Sequence, residues 1–222
     1  MNDDERFARS WHLVVGVVAS VAIVVQLVLA LTGARVLVDE TEPTTPETLY
    51  RFFAYFTIQS NLLVAASSLM LSRDPWSDDR RWRIVRFAGL VGITVTGLVH
   101  SFLLRPLLDL EGLDWWCDKT LHMGVPVLAV LGWVLFGPRP RVSNREIVVA
   151  LAWPVVWLVG TLVVGAASDW FPYPFLDFRE EGWRSVAVVC VGVTVLFVAL
   201  IALFHRLDRR LPARAQGSHV SG

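Results

Sequence analysis

Six apolar runs, separated by short polar connections, account for most of the chain. A hydrocarbon core about 30 Å thick requires about 20 helical residues at about 1.5 Å per residue. Each run is long enough to cross it, the fourth only together with some flanking residues. The pattern predicts an all-α, polytopic membrane protein, a bundle of six transmembrane helices in one domain at 1–210, followed by a flexible cytoplasmic tail at 211–222. The predicted helices lie at about 11–31, 52–71, 84–104, 120–136, 147–167 and 186–204.

The composition agrees with a membrane location. Of the 222 residues, 55% are hydrophobic and 18% are charged, and the mean hydropathy of +0.54 is too high for a soluble domain of this size. The expected partners are membrane lipids, and the formal net charge of zero gives no indication of a nucleic-acid partner. The two cysteines, Cys117 and Cys190, form neither a disulfide framework nor a cysteine zinc cluster. The first run exceeds the usual apolar core of a signal peptide, so we expect it to be retained as a helix.

Basic and acidic residues alternate from one connection to the next. Fourteen of the 20 Lys and Arg residues lie in the two tails and in the connections at 72–86 and 137–146. Twelve of the 20 acidic residues lie in the other three connections. Because Lys and Arg concentrate on the cytoplasmic side of membrane proteins, the pattern predicts a multi-pass protein of the plasma membrane with both termini in the cytoplasm. The strict alternation also favours six helices.

A polar segment, YFTIQSN at 55–61, lies at the start of the second predicted helix. Thr57, Ser60 and Asn61 are three and four positions apart, so they share one helix face. The predicted topology places them at about the depth of His100 and His122, in the outer half of the bundle. Alternatively, the hydroxyls of Thr57 and Ser60 bond to their own helix and Asn61 joins two helices. The histidines could likewise lie at the membrane interface and contact water, and for His100 we prefer this interpretation. The convergence at one depth favours a site.

The connection SDWFPYPFLDFREEGW, at 168–183, is rich in aromatic residues and proline. Residues that precede a proline are disfavoured in helical conformation, so an extended backbone is expected around Tyr173 and Pro174. Such a segment could form a lid or a lateral gate for an apolar substrate. The alternative is a belt of aromatic side chains at the membrane interface without a gating role.

No motif of the familiar soluble hydrolases, metalloproteases or nucleotide-binding enzymes is present. A threonine and a histidine can nevertheless act together: Thr57 would attack an ester carbonyl, and His122 would accept the hydroxyl proton and deliver it to the leaving alcohol. A backbone amide or Asn61 could stabilise the oxyanion. A metal site of His100, His122 and an acid such as Asp118 is conceivable, but the histidine spacing follows no helical ligand pattern, so neither a metal nor another cofactor is expected.

Three segments resemble the FAR/AIG-like family of androgen-induced and androgen-regulated membrane proteins, in particular its bacterial integral membrane members. They are YFTIQSNLL at 55–63, LHMGVPVL at 121–128 and DWFPYPFLD at 169–177. The eukaryotic members are threonine hydrolases of fatty acid esters of hydroxy fatty acids and require one threonine and one histidine within the membrane. The resemblance implies Thr57 as nucleophile and His122 as its base. We expect five further residues to bind substrate or to support the site: Asn61, Ser60, His100, Tyr173 and Pro174.

Functions of other classes are compatible with the same residues. The chain could be a non-catalytic protein that binds lipids, transports a small solute or serves as an accessory subunit. Coupled ion transport is less favoured, because no charged residue lies in the middle of a predicted span. His100 and His122 would also suit a heme or quinone electron carrier, which would show a visible absorption spectrum. The leading hypothesis is a hydrolase of lipid esters with a lipid-like substrate, and the sequence does not specify an oligomeric state.

Overall fold

The chain is all-helical in a computed structural model, which describes residues 3–33, 43–77, 79–137 and 142–211. The predicted tail at 211–222 lies outside the described residues apart from Leu211. Within the described part, eight α-helices follow one another along the chain. They are α1 (Asp3–Leu31), α2 (Thr45–Ala54), α3 (Phe56–Arg73), α4 (Arg80–Val99), α5 (Gly112–Lys119), α6 (Val125–Phe136), α7 (Asn144–Ser168) and α8 (Gly182–Arg210).

Five helical stretches in the described residues are long and apolar enough to cross a membrane: α1, Arg80–Leu107, Gly112–Phe136, α7 and α8. The apolar run at 52–71 is different, because it is divided between α2 and α3, whose axes are bent by 70°. The structure thus corrects the prediction of one helix at 52–71. A sixth span is obtained only if the bent pair crosses as one unit. The five other predicted helices are present and longer than predicted, because polar flanking residues continue each helix beyond its apolar run.

The break between α2 and α3 is stabilised by side chains that satisfy the backbone groups freed there. Tyr55, between the two helices, has an extended backbone (φ −65°, ψ 126°), which interrupts the helical hydrogen bonds. Gln59 donates from Nε2 to the carbonyl of Phe53 (2.9 Å), and its Oε1 accepts from the indole of Trp153 on α7 (2.8 Å). The indole of Trp157 donates to the carbonyl of Ala54 (2.8 Å). The polar residues in the apolar run therefore belong to a helix terminus.

Two π-helical turns carry the candidate histidines. One, His100–Leu104, continues α4, and the other, Thr120–Gly124, joins α5 to α6. Each turn is closed by a backbone hydrogen bond to the carbonyl five residues earlier, from Arg105 to His100 in the first turn and from Val125 to Thr120 in the second. A proline follows each donor, Pro106 and Pro126 respectively. Because proline lacks an amide donor and its ring clashes with the carbonyl four residues earlier, the wider turn relieves the conflict. Such turns are frequent at functional sites.

Helix α4 lies at the centre of the bundle, in contact with α3, α6, α7 and α8, while α1 packs on α3 and α6. Gly97 of α4 permits a close approach to the second π turn, since a Cβ there would lie 2.9 Å from the carbonyl oxygen of His122. Helices α7 and α8 lie at the periphery and expose rows of apolar side chains, which suit a surface that faces lipid. The rows are Val148, Val155, Val159 and Val163 on α7 and Val188, Val191, Val195 and Val198 on α8.

The start of α1 and the end of α8 lie at the same end of the bundle. Phe7 of α1 contacts Phe136 of α6, and one turn earlier on α6 Trp133 contacts Phe204 of α8. Thr57 lies at the opposite end, in a cavity that is also lined by the last two turns of α1. The candidate site is therefore separated from the described chain ends by the length of the bundle.

Candidate functional site

Thr57 and His122, the predicted nucleophile and base, are in contact. The distance from Thr57 Oγ1 to His122 Nε2 is 3.2 Å, which is within hydrogen-bond reach of a nucleophile and its base. Thr57 is the second residue of α3, directly after the break, whereas the predicted helix at 52–71 would place it at the sixth position. His122 is in the middle of the second π turn. The contact depends on the position of this turn beside the start of α3.

Asp118 lies on the other side of the His122 ring. The Nδ1 atom of His122 is 3.0 Å from the main-chain oxygen of Asp118 and 3.0 Å from its carboxylate Oδ1. The contact with the main-chain oxygen has hydrogen-bond geometry, whereas the contact with Oδ1 is not aligned as a hydrogen bond. Because the main-chain oxygen can only accept, we assign the ring proton to Nδ1. The opposite nitrogen, Nε2, then presents a lone pair to the hydroxyl of Thr57. Thr57, His122 and Asp118, here called the triad, thus have the order of nucleophile, base and acid that is found in Ser–His–Asp hydrolases.

The carboxylate of Asp118 is buried and has two further close neighbours. Lys119 Nζ lies 2.8 Å from Oδ2, and His100 Nε2 lies 2.8 Å from Oδ1, although the latter contact is not aligned as a hydrogen bond. The His100 ring is 1% exposed and stacks on His122, with centroids 3.9 Å apart and an interplanar angle of 14°. The preference for a His100 that meets water is therefore wrong. The His100 ring packs against one face of the His122 ring.

Tyr173 completes the surroundings of the nucleophile. Its hydroxyl accepts the backbone N–H of Thr57 (3.2 Å) and lies 3.3 Å from Thr57 Oγ1. Tyr173 belongs to the connection between α7 and α8, and burial raises the pKa of its phenol. The phenol therefore stays protonated at neutral pH. It has one proton to donate, either to Thr57 or to a bound ligand.

The aromatic connection covers this end of the bundle with buried side chains. Phe171 and Leu176 are buried together with Tyr173 against Phe56, at the start of α3. The predicted extended backbone is confirmed at Tyr173 (φ −137°, ψ 131°), and Pro174 begins a 3₁₀ turn that ends at Leu176. The connection therefore forms part of the site wall. Its action as a lid or lateral gate stays a prediction.

Asn61 and Ser60 lie one turn further along α3. Asn61 Nδ2 donates to the carbonyl of Thr57 (2.9 Å) and to the carbonyl of Leu121 (3.3 Å), and so joins α3 to the second π turn. Ser60 Oγ donates to its own helix (2.8 Å) and accepts from Thr96 of α4 (3.2 Å). Asn61 thus links the elements that carry Thr57 and His122, and Ser60 links α3 to α4. An oxyanion role for Asn61 would require the release of its present bonds.

His100, Asp118 and His122 also form a group that could hold a metal ion, with one ligand atom of each within 4.8 Å of the others. A zinc ion requires its histidine nitrogens to converge at about 2.0–2.1 Å. The two imidazole rings are instead stacked and nearly parallel, so their in-plane lone pairs do not converge on one point. Binding would require one ring to rotate. The present arrangement suits proton transfer better than metal binding.

Two cavities meet at Thr57. The larger, of about 480 Å³, is lined by Asp118, His122 and residues of α1, α2 and α5, and includes many polar groups. The smaller, of about 260 Å³, lies between α4, α7 and α8, and its walls are mainly apolar. We call them the polar cavity and the apolar cavity. Four residues line both: Thr57, His100, Leu104 and Tyr173.

The roles of Asp118 and Gln59 are not predicted from the sequence. Asp118 is considered there only as a conceivable metal ligand, although its spacing of four from His122 brings the two side chains together on one helix face. That spacing is a usable signal. The sequence around Gln59 gives no such signal. Its side chain bonds to the backbone at the break between α2 and α3, and the apolar run continues across that break.

Comparisons with known proteins found no relative: no protein-family model, no curated protein and no solved structure matches the chain. The chemistry of the site is therefore argued from its own geometry.

Proposed function

We propose that the protein is a threonine-dependent hydrolase of lipid esters, with a fatty-acid ester as substrate. The observation that carries the proposal is the 3.2 Å contact between Thr57 Oγ1 and His122 Nε2, on a histidine whose Nδ1 faces Asp118. A threonine hydroxyl is a weak nucleophile unless a base with a free lone pair removes its proton. A base held in the required tautomer supports nucleophilic catalysis rather than binding alone.

In the first step, Thr57 Oγ1 attacks the ester carbonyl carbon while its proton moves to His122 Nε2. The carbonyl oxygen takes the electron pair and becomes an oxyanion, and Asp118 stabilises the imidazolium that forms. The bond to the leaving oxygen then breaks, and this oxygen takes the proton from His122. The acyl group stays on Thr57. Water, activated by the same histidine, attacks the acyl carbon and releases the fatty acid and the threonine hydroxyl.

Tyr173 supplies a hydrogen-bond donor beside the reacting atoms. Because its hydroxyl oxygen accepts the N–H of Thr57, its own proton is available to a substrate oxygen bound next to Thr57 Oγ1. The start of α3 adds the positive end of a helix dipole at the same place. Donors and dipoles that are fixed before the reaction stabilise a developing oxyanion strongly in a site sheltered from water.

The surroundings of the triad favour a lipid substrate. The triad lies near the ends of long apolar helices, so an ester can present its carbonyl while its acyl chain stays among apolar side chains. We also propose that the chain belongs to the bacterial branch of the FAR/AIG-like family. Thr57, His122 and Tyr173 come from the three separate segments that carry the resemblance, and their convergence around one hydroxyl supports it.

We propose that the protein crosses the plasma membrane six times, with α2 and α3 forming the second span together. Both termini would lie in the cytoplasm and the triad in the outer half of the membrane. The distribution of basic residues supports this orientation. It agrees with the position of the triad at the opposite end of the bundle from the start of α1 and the end of α8.

Hydrolysis of a fluorogenic fatty-acid ester by the protein in lipid nanodiscs tests the proposed activity. We expect Thr57→Ala and His122→Ala to abolish it, and Thr57→Ser to retain part of it, because serine keeps a hydroxyl nucleophile. Thr94→Ala is the matched control, since Thr94 bonds to its own helix at Leu90 and lines neither cavity. Activity that persists in Thr57→Ala, or a wild-type protein without activity on fatty-acid esters, would contradict the proposal.

A further inference from the structure

The apolar cavity has no part in the chemistry derived above. It has a volume of about 260 Å³ and lies between α4, α7 and α8, with walls that include Val99, Leu158, Val193 and Phe197. Thr194, a hydroxyl in this wall, donates to the carbonyl of Cys190 within its own helix. The cavity therefore offers an apolar surface that ends at Thr57.

This cavity reaches the lipid-facing surface of the bundle. Val155 of α7 and Val198 of α8 line it and are also 58% and 59% exposed. Both belong to the exposed valine rows of their helices. An apolar chain in a surrounding bilayer can therefore enter between α7 and α8 without passing through water.

The two cavities give the two halves of an ester different directions. Thr57 lines both cavities, whereas Asp118 and His122 line only the polar cavity. Because His122 must protonate the leaving oxygen, the alcohol half departs on the polar side. The acyl carbon remains bonded to Thr57. Because the alcohol half occupies the polar cavity, the acyl chain extends into the apolar cavity.

We infer that the apolar cavity is an acyl-chain site, which takes the fatty-acyl chain of the substrate laterally from the bilayer. The polar cavity takes the alcohol half. The inference rests on the proposed function for the direction of the chain, and it specifies the substrate class as an ester of a long-chain fatty acid with a polar alcohol portion.

Shape decides which chains this cavity accepts. An acyl chain that moves from the bilayer into an apolar cavity exchanges one hydrocarbon environment for another. Selectivity between acyl chains of different length therefore depends on the volume and shape of the cavity. Val193→Phe places a larger side chain into the wall, and we expect the ratio of palmitate-ester to acetate-ester hydrolysis to fall by about tenfold or more. Val191→Phe is the matched control, because Val191 lies on the same helix, is 63% exposed and does not line the cavity. It should leave the ratio unchanged.

Binding is measured separately from catalysis with the Thr57→Ala variant in nanodiscs and a photoreactive diazirine analogue of palmitic acid. Peptides of α8 that contain 189–198 should be labelled, and excess unlabelled palmitate should suppress the labelling. Combining Thr57→Ala with Val193→Phe should abolish the labelling that unlabelled palmitate suppresses. Combining it with Val191→Phe should leave this labelling unchanged.

The two measurements separate the acyl-chain site from the hydrolase. Suppressible labelling, combined with no ester hydrolysis by the wild type, supports the site and overturns the proposed function. Hydrolysis with a chain-length ratio that Val193→Phe leaves unchanged, together with labelling that palmitate does not suppress, overturns the site while the hydrolase stands.

Discussion

Asp118 decides which nitrogen of His122 faces the nucleophile. Its main-chain oxygen accepts a hydrogen bond from Nδ1 (3.0 Å), and its carboxylate adds a negative charge 3.0 Å away, so a proton on Nδ1 is stabilised and Nε2 is left free to act as the proposed base. The stacked ring of His100 limits rotation of the imidazole. In the proposed mechanism, the imidazole is therefore oriented for proton transfer before a substrate binds.

Replacement of Asp118 by asparagine keeps the shape of the side chain and removes its charge. We expect Asp118→Asn to lower kcat for ester hydrolysis by about 10²–10⁴, with little change in KM, because the imidazolium loses the negative charge beside it while the main-chain oxygen still holds the tautomer. Asp109→Asn is the control, since Asp109 is exposed and lies on the chain shortly before α5. A fall of less than about twofold in Asp118→Asn would remove Asp118 from the mechanism.

Chelation distinguishes proton transfer from metal catalysis at the same three side chains. Because the His100 and His122 rings are parallel, we expect prolonged treatment with EDTA or a stronger zinc chelator to leave the hydrolysis rate unchanged. The metal content of the purified protein, measured by mass spectrometry, should be well below one ion per chain. A loss of activity that zinc restores would instead assign His100, Asp118 and His122 to a metal centre.

The sequence predicts the two principal residues of the site, and the structure explains why the others are harder to predict. Thr57 and His122 stand out as polar groups in apolar runs, and their 3.2 Å contact agrees with the predicted pairing. Their catalytic roles stay a prediction. Burial of His100 depends on which helices are neighbours, which depth alone does not determine.

At the scale of helices, the site depends on interruptions of regular structure. The break before α3 places Thr57 at a helix start, and the two π turns carry His100 and His122. The length of the apolar runs predicts five long helices correctly but gives no sign of the break, since Tyr55 is not a proline and the apolar run continues past it. The prolines at 106 and 126 are visible in the sequence, but the type of turn they produce is not.

Gly97 tests whether the close approach of α4 to the second π turn matters. A Cβ at this position would lie 2.9 Å from the carbonyl of His122, which belongs to a rigid backbone, so we expect Gly97→Ala to destabilise the protein by about 1–3 kcal/mol and to slow hydrolysis. Gly160→Ala is the control, because nothing lies within 4 Å of a Cβ there. Thermal unfolding of both variants checks the prediction. Equal effects would show that the contact is unimportant.

At the scale of the whole molecule, the chain builds a bundle whose two ends differ. One end holds the start of α1 and the end of α8, and the other holds the triad and the polar cavity, from which the apolar cavity extends towards the middle of the bundle. The charge pattern predicts that the end with the start of α1 and the end of α8 faces the cytoplasm. The native thiol of Cys117 does not report orientation, because it is buried and donates to the carbonyl of Ala22.

Orientation is measured with new cysteines at the two exposed ends of α7. We expect Ser168→Cys, at the triad end, to react in intact cells with a maleimide that does not cross membranes. Asn144→Cys, at the other end, should react only after the cells are permeabilised. The reverse pattern would invert the proposed topology and place the triad near the cytoplasm.

The most direct test of the central claim is to locate the residue that a fluorophosphonate carrying an alkyl chain modifies in the purified protein. The mechanism predicts an adduct on Thr57 by tandem mass spectrometry, no adduct in Thr57→Ala, and much slower formation in His122→Ala. An adduct on another residue, or equal modification of the wild type and Thr57→Ala, would contradict the assignment of Thr57 as the nucleophile.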